Sequence, residues 1–167
     1  MALSDLGLDL RRLPAPLPIW HGRVGRDAWS VAASTIADTG GRLVSVWGVD
    51  RQASSTGTAA CAAYAVFEGL VWVELALDEA TRCFPDLSAA FHCAVRMQRA
   101  VADLSGLKAE GGRDQRPWLD HGMWASGLPP LQHDAEPKAA SRGMLPADYH
   151  FVRVAGDGLH GRLLYGG

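Results

Sequence analysis

The residues of this 167-residue chain that could do chemistry are its histidines, a glycine cluster near the C-terminus and a few charged pairs. Gly156, Gly158 and Gly161 spell G-x-G-x-x-G directly after the strand-like run Tyr149–Val154, the wording of a dinucleotide-binding turn. That chemistry needs a helix whose first amides meet the pyrophosphate and an acidic residue further on for the ribose. Only Arg162 to Gly167 follow, so the run reads as a glycine-rich turn. Histidines stand at 21, 92, 121, 133, 150 and 160, none in H-x-x-x-H or H-E-x-x-H spacing, and His92 and Cys93 are adjacent and so point to different helix sectors. Cysteines at 61, 83 and 93 form no C-x-x-C pair. Neither pattern gathers metal ligands or a disulfide framework. Asp120 with His121, and His133 with Asp134, could serve as acid–base pairs, although such neighbours are common on polar surfaces. A serine-hydrolase elbow and a phosphate-binding G-K-S or G-K-T are both absent from the sequence.

Charges on one helical stretch carry a different signal. Arg96, Arg99 and Asp103 fall at i, i+3 and i+7, on one face. They read either as a solvated face with weak pairing or as an ion-pair cluster. In the second case Asp114 and Arg116 are the partners, and the cluster pins the proline-containing segment that follows.

The elements that must position these residues fit one domain. Hydrophobic residues make up 48% and charged residues 20%, which argues against wholesale disorder. A formal charge of −2 excludes a nucleic-acid or anionic-membrane binder driven by net basicity. No apolar run approaches the ~20 residues of a membrane span. Asp5 and Asp9 interrupt the N-terminal leucines, so no signal peptide is read. The expectation is a soluble intracellular chain, at most peripheral to a membrane.

Residues 1–26, with Pro14, Pro16 and Pro18 fixing an extended run, read as a flexible N-terminal arm. Residues 27–107 read as a core. Asp27 caps a helix over Ala28–Asp38 ended by Gly40; Leu43–Val49 is a strand; Ala60–Phe67 and Leu70–Leu77 form a hairpin around Glu68-Gly69. Phe84-Pro85-Asp86 breaks the chain, and a helix over Ser88–Leu104 closes at Gly106. The fold class is α+β: two layers, an antiparallel sheet with helices on one face, then an extended irregular C-terminal segment. Residues 108–148 contain Pro117, Pro129, Pro130, Pro137 and Pro146 but also Trp118, Leu119, Met123, Trp124, Leu128 and Leu131, too apolar for a free linker. Burial against the core or against another polypeptide is the physical solution.

From Phe84 to Asp134 the chain resembles the C subunit of NADH–quinone oxidoreductase. It is more closely similar to the equivalent N-terminal region of formate-hydrogenlyase-type nickel–iron hydrogenase large subunits. Phe84-Pro85-Asp86-Leu87-Ser88 is similar to the family's F/Y-P-S-L-T, and Arg99 with Asp103-Leu104-Ser105-Gly106-Leu107 to its E-R-E…D-L-F-G-I helix end. Glu110-Gly111-Gly112-Arg113-Asp114-Gln115-Arg116-Pro117 resembles E-G-H-P-D-x-R-P, with Trp124 at the tryptophan of D-W, and Pro130-Leu131-Gln132-His133-Asp134 resembles P-L-R-K-D. Tyr149–His160 is similar to the opening of the large-subunit module of the same enzymes, so 149–167 reads as its truncated start. The sequence departs from the pattern at Gln98 and Ala100, where the family has acids, and at Gln132 and His133.

The resemblance implies an accessory, non-catalytic subunit or domain of a membrane-associated respiratory oxidoreductase complex, of complex I or group-4 hydrogenase type. Its expected partners are the large subunit and the small iron–sulfur subunit, on the cytoplasmic side of the inner membrane, with no nucleic acid and membrane contact only through partners. The implied interface residues are Arg99, Asp103, Asp114, Arg116, Trp118, Trp124, Pro130 and Leu131. No catalytic, cofactor-binding or metal residue is expected. The alternatives are the leading fragment of a full hydrogenase-like large subunit, or a free-standing enzyme using His121 and Asp120.

Overall fold

The computed structural model describes residues 3–51, 57–120 and 128–132. Trp124, His121, His133 and the whole of 149–167, with its glycine cluster, lie outside the described residues. A single 3-10 turn, Leu3–Leu6, precedes strands β1 (Arg11–Arg12) and β2 (Ile19–Val24) and helix α1 (Arg26–Asp38). Strands β3 (Arg42–Arg51), β4 (Gly57–Val66), β5 (Gly69–Ala76) and β6 (Cys83–Pro85) follow, then helix α2 (Ala94–Ser105) and strand β7 (Lys108–Glu110).

The α+β class holds, and the sheet is larger than the sequence suggested. Five strands run in the order β1-β2-β5-β4-β3, and β6 and β7 form a separate parallel pair. Strands β3, β4 and β5 are antiparallel neighbours, as expected. The addition is β2, which lies parallel to β5 from Ile19↔Leu70 to Val24↔Leu75. Part of the expected flexible arm is therefore sheet. Its prolines stop at Pro18, and the next six residues are free to donate to a ladder. Leu6 is buried in the core, and Leu3, Leu8 and Leu10 pack against it. Parallel pairing needs a crossover, here through α1, and such a long-range pairing leaves no local signature.

Both helices contribute to one core. Trp29, Ala33 and Ile36 of α1 and Ala94 and Val101 of α2 meet Val46, Ala60, Ala62, Tyr64, Val71 and Val73 of the sheet, with Phe84 and Leu87 between them. Trp29 is fully buried, and its indole N–H donates to the Pro85 carbonyl at 3.1 Å. The N-cap of α1 is Gly25 rather than Asp27, which sits in the first turn, where its charge suits the helix dipole. The hairpin turn is Phe67-Glu68, one residue earlier than expected, because Gly69 pairs with Val66.

Two further expectations need correction. Cys83–Pro85 does not simply break the chain; it pairs with Lys108–Glu110. The helix expected from Ser88 starts only at Ala94. Asp86 Oδ1 accepts from the Ser88 amide at 3.0 Å and from Gln98 Nε2 at 2.6 Å, while Gln98 Oε1 accepts from the Leu87 amide at 2.8 Å. These side-chain partners satisfy amides that a helix would otherwise leave open, and single turns then carry Leu87 and Phe91 into the core. Gln98 both donates and accepts here, which an ionised carboxylate at the same position could not do.

Helix α2 crosses β3 at Gly48. A Cβ there would stand 2.7 Å from Ser105 Cβ and 2.8 Å from Leu107 Cδ1, so the close approach requires glycine. Gly48→Ala is expected to destabilise the fold by about 1–3 kcal/mol, the usual result of overpacking. Urea denaturation measures it, and an unchanged midpoint would mean that α2 shifts freely on the sheet.

Candidate functional site

The charged face of α2 is a clasp. Gly106, at φ +69, ends the helix, and its amide closes back on Ala102. After β7 the chain turns at Gly111 and runs back along α2, which brings 113–120 over the helix. Arg99 holds this returning segment at three points. Its Nε donates to the Arg116 carbonyl at 2.6 Å, one terminal nitrogen to the Pro117 carbonyl at 2.9 Å, and the other to Asp114 Oδ2 at 3.0 Å. Asp103, one turn on, receives the next three amides: Oδ2 accepts from Trp118 and Leu119 at 2.6 Å each and from Asp120 at 3.3 Å. Arg96 and Arg99 both place their guanidinium carbons 5.2 Å from the Trp118 ring centre.

Asp114 is shared between two arginines, because Arg116 reaches it at 2.7 and 2.9 Å. The hydrogen bond from Arg116 holds the Asp114 carboxyl well below the usual carboxylate range, with the Arg116 and Arg99 charges acting in the same direction. A depressed aspartate keeps the clasp charged under mildly acidic conditions and releases it only when pH falls far below that range. The same contact raises Arg116.

Of the two readings of the α2 charges, the ion-pair cluster is the one present. The structure brings Arg99, Asp103, Asp114, Arg116 and Trp118 together. Leu131 reaches the end of the same helix by another route, its amide donating to the Leu104 carbonyl at 2.8 Å, with Pro130 next to it in the chain. Pro129 lies against the Gly106 backbone. Apolar side chains of the clasp and of the stretch at the helix end stay partly exposed. Trp118, Leu119, Leu128 and Leu131 are 40%, 41%, 42% and 59% exposed. Asp86, Ser88, Gln98, Lys108 and Arg113 line the cleft between α2 and the returning segment.

Spacing offered the clasp as one of two readings, and gave no sign of a second polar cluster on the opposite face of the sheet. Glu74, on β5, is buried. Arg23 Nε stands 3.3 Å and His21 Nε2 3.6 Å from its two oxygens. The His21 ring lies 4.5 Å from that of Trp72. Only the β2–β5 pairing unites these residues, so no sequence signal could have joined them. Burial lowers the His21 pKa from its ordinary value near 6.5, with Arg11 and Arg23 adding to the lowering and Glu74 opposing it. The unfolded chain therefore takes a proton before the folded one does, and stability falls as pH drops through 6.5. Urea unfolding from about pH 7 to about pH 5.5 should show a loss of no more than about 1.4 kcal/mol per pH unit, the slope of one proton. His21→Phe should flatten that slope, and a slope that survives the substitution would assign it elsewhere.

A third site pins the far end of α2. Arg82, a non-glycine residue at φ +48, donates to Asp50 Oδ2 at 3.0 Å and to the Ser105 carbonyl at 3.1 Å. Among the described residues no three histidine, cysteine or acidic side chains gather as a metal site, and no helix is long and apolar enough to cross a membrane.

Residues 23–141, more than half of the chain, match the family described as the respiratory-chain NADH dehydrogenase 30 kDa subunit. The chain belongs to that family. The match runs from the end of β2 through the whole clasp, so the clasp is built from family sequence, and the resemblance of Phe84–Asp134 to the NADH dehydrogenase subunit holds. No curated protein matches the chain. Among solved structures, the trypsin-resistant fragment (1-134) of Nqo5 aligns with a TM-score of 0.57 at 16% identity, covering 67% of this chain and 95% of the fragment. The membrane-bound sulfane sulfur reductase, an archaeal respiratory membrane complex, contains a chain that aligns with a TM-score of 0.57 at 17% identity, covering 86% of this chain and 88% of its own. Both likenesses concern the fold.

Proposed function

We propose that the chain is an accessory, non-catalytic member of a membrane-associated respiratory oxidoreductase complex, and that its clasped segment docks it onto the large electron-transfer subunit. The observation that carries this reading is the exposure of Trp118 and Leu119 on backbone fixed to α2 by Arg99 and Asp103, together with that of Leu128 and Leu131 where the Leu131 amide meets the Leu104 carbonyl. A loose tail would have to lose conformational freedom on binding, whereas a segment already held by Arg99 and Asp103 has lost it in advance. Aromatic, leucine and arginine groups around a rigid backbone suit an interface with an apolar centre and a polar rim. Family membership supports assembly with other respiratory subunits. The motif resemblance supports the large subunit as neighbour, the small iron–sulfur subunit beside it and a position on the cytoplasmic side of the inner membrane. The sulfane sulfur reductase complex offers a comparable membrane setting for a chain of this fold.

Leu131→Asp tests the docking surface. Leu131 is 59% exposed, so the isolated chain should unfold within about 0.5 kcal/mol of the wild type. Binding to the large subunit should fall at least about tenfold, because the charge would be buried unpaired at the contact. Co-purification of tagged wild type and variant from the host's solubilised membranes measures the difference. Equal recovery of the large subunit would remove Leu131 from the interface.

A further inference from the structure

The face of the sheet turned away from both helices carries residues that the docking segment does not use. Register decides which they are. Ala60, Ala62 and Tyr64 of β4 point into the core, so Cys61, Ala63 and Ala65 point away from it, and with them their partners across the sheet. Among those partners are Trp47 and Arg42 on β3, Trp72 and Glu74 on β5, His21 and Arg23 on β2, and Arg11 on β1, with Ser45, Leu70 and Ile19 also on this face. His21, Trp72 and Trp47 make a continuous aromatic row, with ring separations of 4.5 and 5.8 Å.

Charge on this face is lopsided. Arg11, Arg23 and Arg42 surround the row. Glu74 is buried and already engaged by Arg23, and Asp9 stands at the edge of the cleft lined by Arg11, His21 and Arg23. What the face offers outward is therefore mainly guanidinium around indole, although the chain as a whole is formally −2. The indole nitrogen of Trp72 is buried with no hydrogen-bond partner among the described residues, while His21 Nε2 faces Glu74. An orphaned polar group of this kind carries a desolvation cost in the free chain.

From this arrangement we infer a second docking surface, for a protein partner whose contact region is acidic with an apolar centre. Carboxylates would pair with Arg11 and Arg42, and an apolar side chain would rest on Trp72 and Trp47. Arginine forks and indole rings are the groups that hold carboxylate-bearing, apolar-centred partners. Complementary charge makes such an association salt-dependent. The surface lies on the opposite side of the sheet from α2, so it does not depend on the clasp, and the chain would bridge two partners.

The test uses the full chain and a synthetic probe, a polyglutamate peptide interrupted by a central Phe-Leu-Phe, followed by fluorescence anisotropy. Saturable binding at low salt is expected, weakened by added sodium chloride. Arg11→Glu with Arg42→Glu should reduce affinity by about tenfold or more, while Leu131→Asp leaves it unchanged. Arg11→Gln with Arg42→Gln, which removes charge without adding any, repeats the comparison should the reversal disturb the circular dichroism spectrum. Absence of binding, or equal affinity in a folded double variant, would overturn the proposal. So would displacement of the peptide by oligothymidylate or by phosphatidylserine vesicles, which would make the face a nucleic-acid or membrane surface.

Discussion

Arg99→Ala is expected to detach the segment around Arg116–Trp118 from α2 and to cost binding to the large subunit more than any other single surface change. The side chain is mostly buried, and its removal leaves the carbonyls of Arg116 and Pro117 without their donors and the Trp118 ring without one of its two cations. Hydrogen bonds to a charged group contribute roughly 1.5–3 kcal/mol each. The global loss of stability should nevertheless stop at about 2–4 kcal/mol, because once the segment lifts away the rest of the domain keeps its core. Hydrogen exchange would show this as lost protection in 116–120 with little change in β4 and β5. Arg99→Lys should not rescue, since an ammonium cannot span two carbonyls and a carboxylate in one plane. Full protection in Arg99→Ala would mean that Asp103 alone holds the segment.

Asp103→Ala should act on the same segment from its other end. One carboxylate oxygen receives three successive amides, so its loss leaves all three donors to find water or nothing. A loss of about 2–3 kcal/mol is expected from this charge-assisted set, with Asp103→Asn intermediate because the amide oxygen still accepts but carries no charge. Arg99 and Asp103 share one segment, so the double variant should lose less than the sum of the two singles. Thermal unfolding of the four proteins measures the coupling. Strict additivity would show that the two residues hold independent pieces of chain.

Local chemistry made much of this legible. Trp29, Ala32, Ala33 and Ile36 fall on one helical face and are the buried residues of α1. The hairpin was visible because Glu68-Gly69 interrupts two strand-like runs, although register places the turn one residue earlier. The clasp was legible as the i, i+3, i+7 spacing of Arg96, Arg99 and Asp103, yet only the returning chain decides between a solvated face and a cluster. Three things were hidden for one reason, their dependence on distant pairing. Ile19–Val24 follows a proline run and looked like an arm, but β5 offers it a parallel edge. The Asp86–Gln98 hydrogen bond delays the start of α2, and a helical pattern cannot show it. The Glu74 cluster comes from two strands joined by a crossover through α1.

The docking role rests on what touches the clasped segment in the assembled complex, and one measurement reads that directly. A photo-crosslinking benzoylphenylalanine replaces Leu131 in one chain and Val31, an exposed apolar residue of α1, in another. Each is expressed in the native host, irradiated in intact membranes and analysed by mass spectrometry. The predicted result is a crosslink from position 131 to the large electron-transfer subunit and none to that subunit from position 31. Crosslinks to the large subunit from position 31 alone, or none from either position, would contradict docking through the clasp.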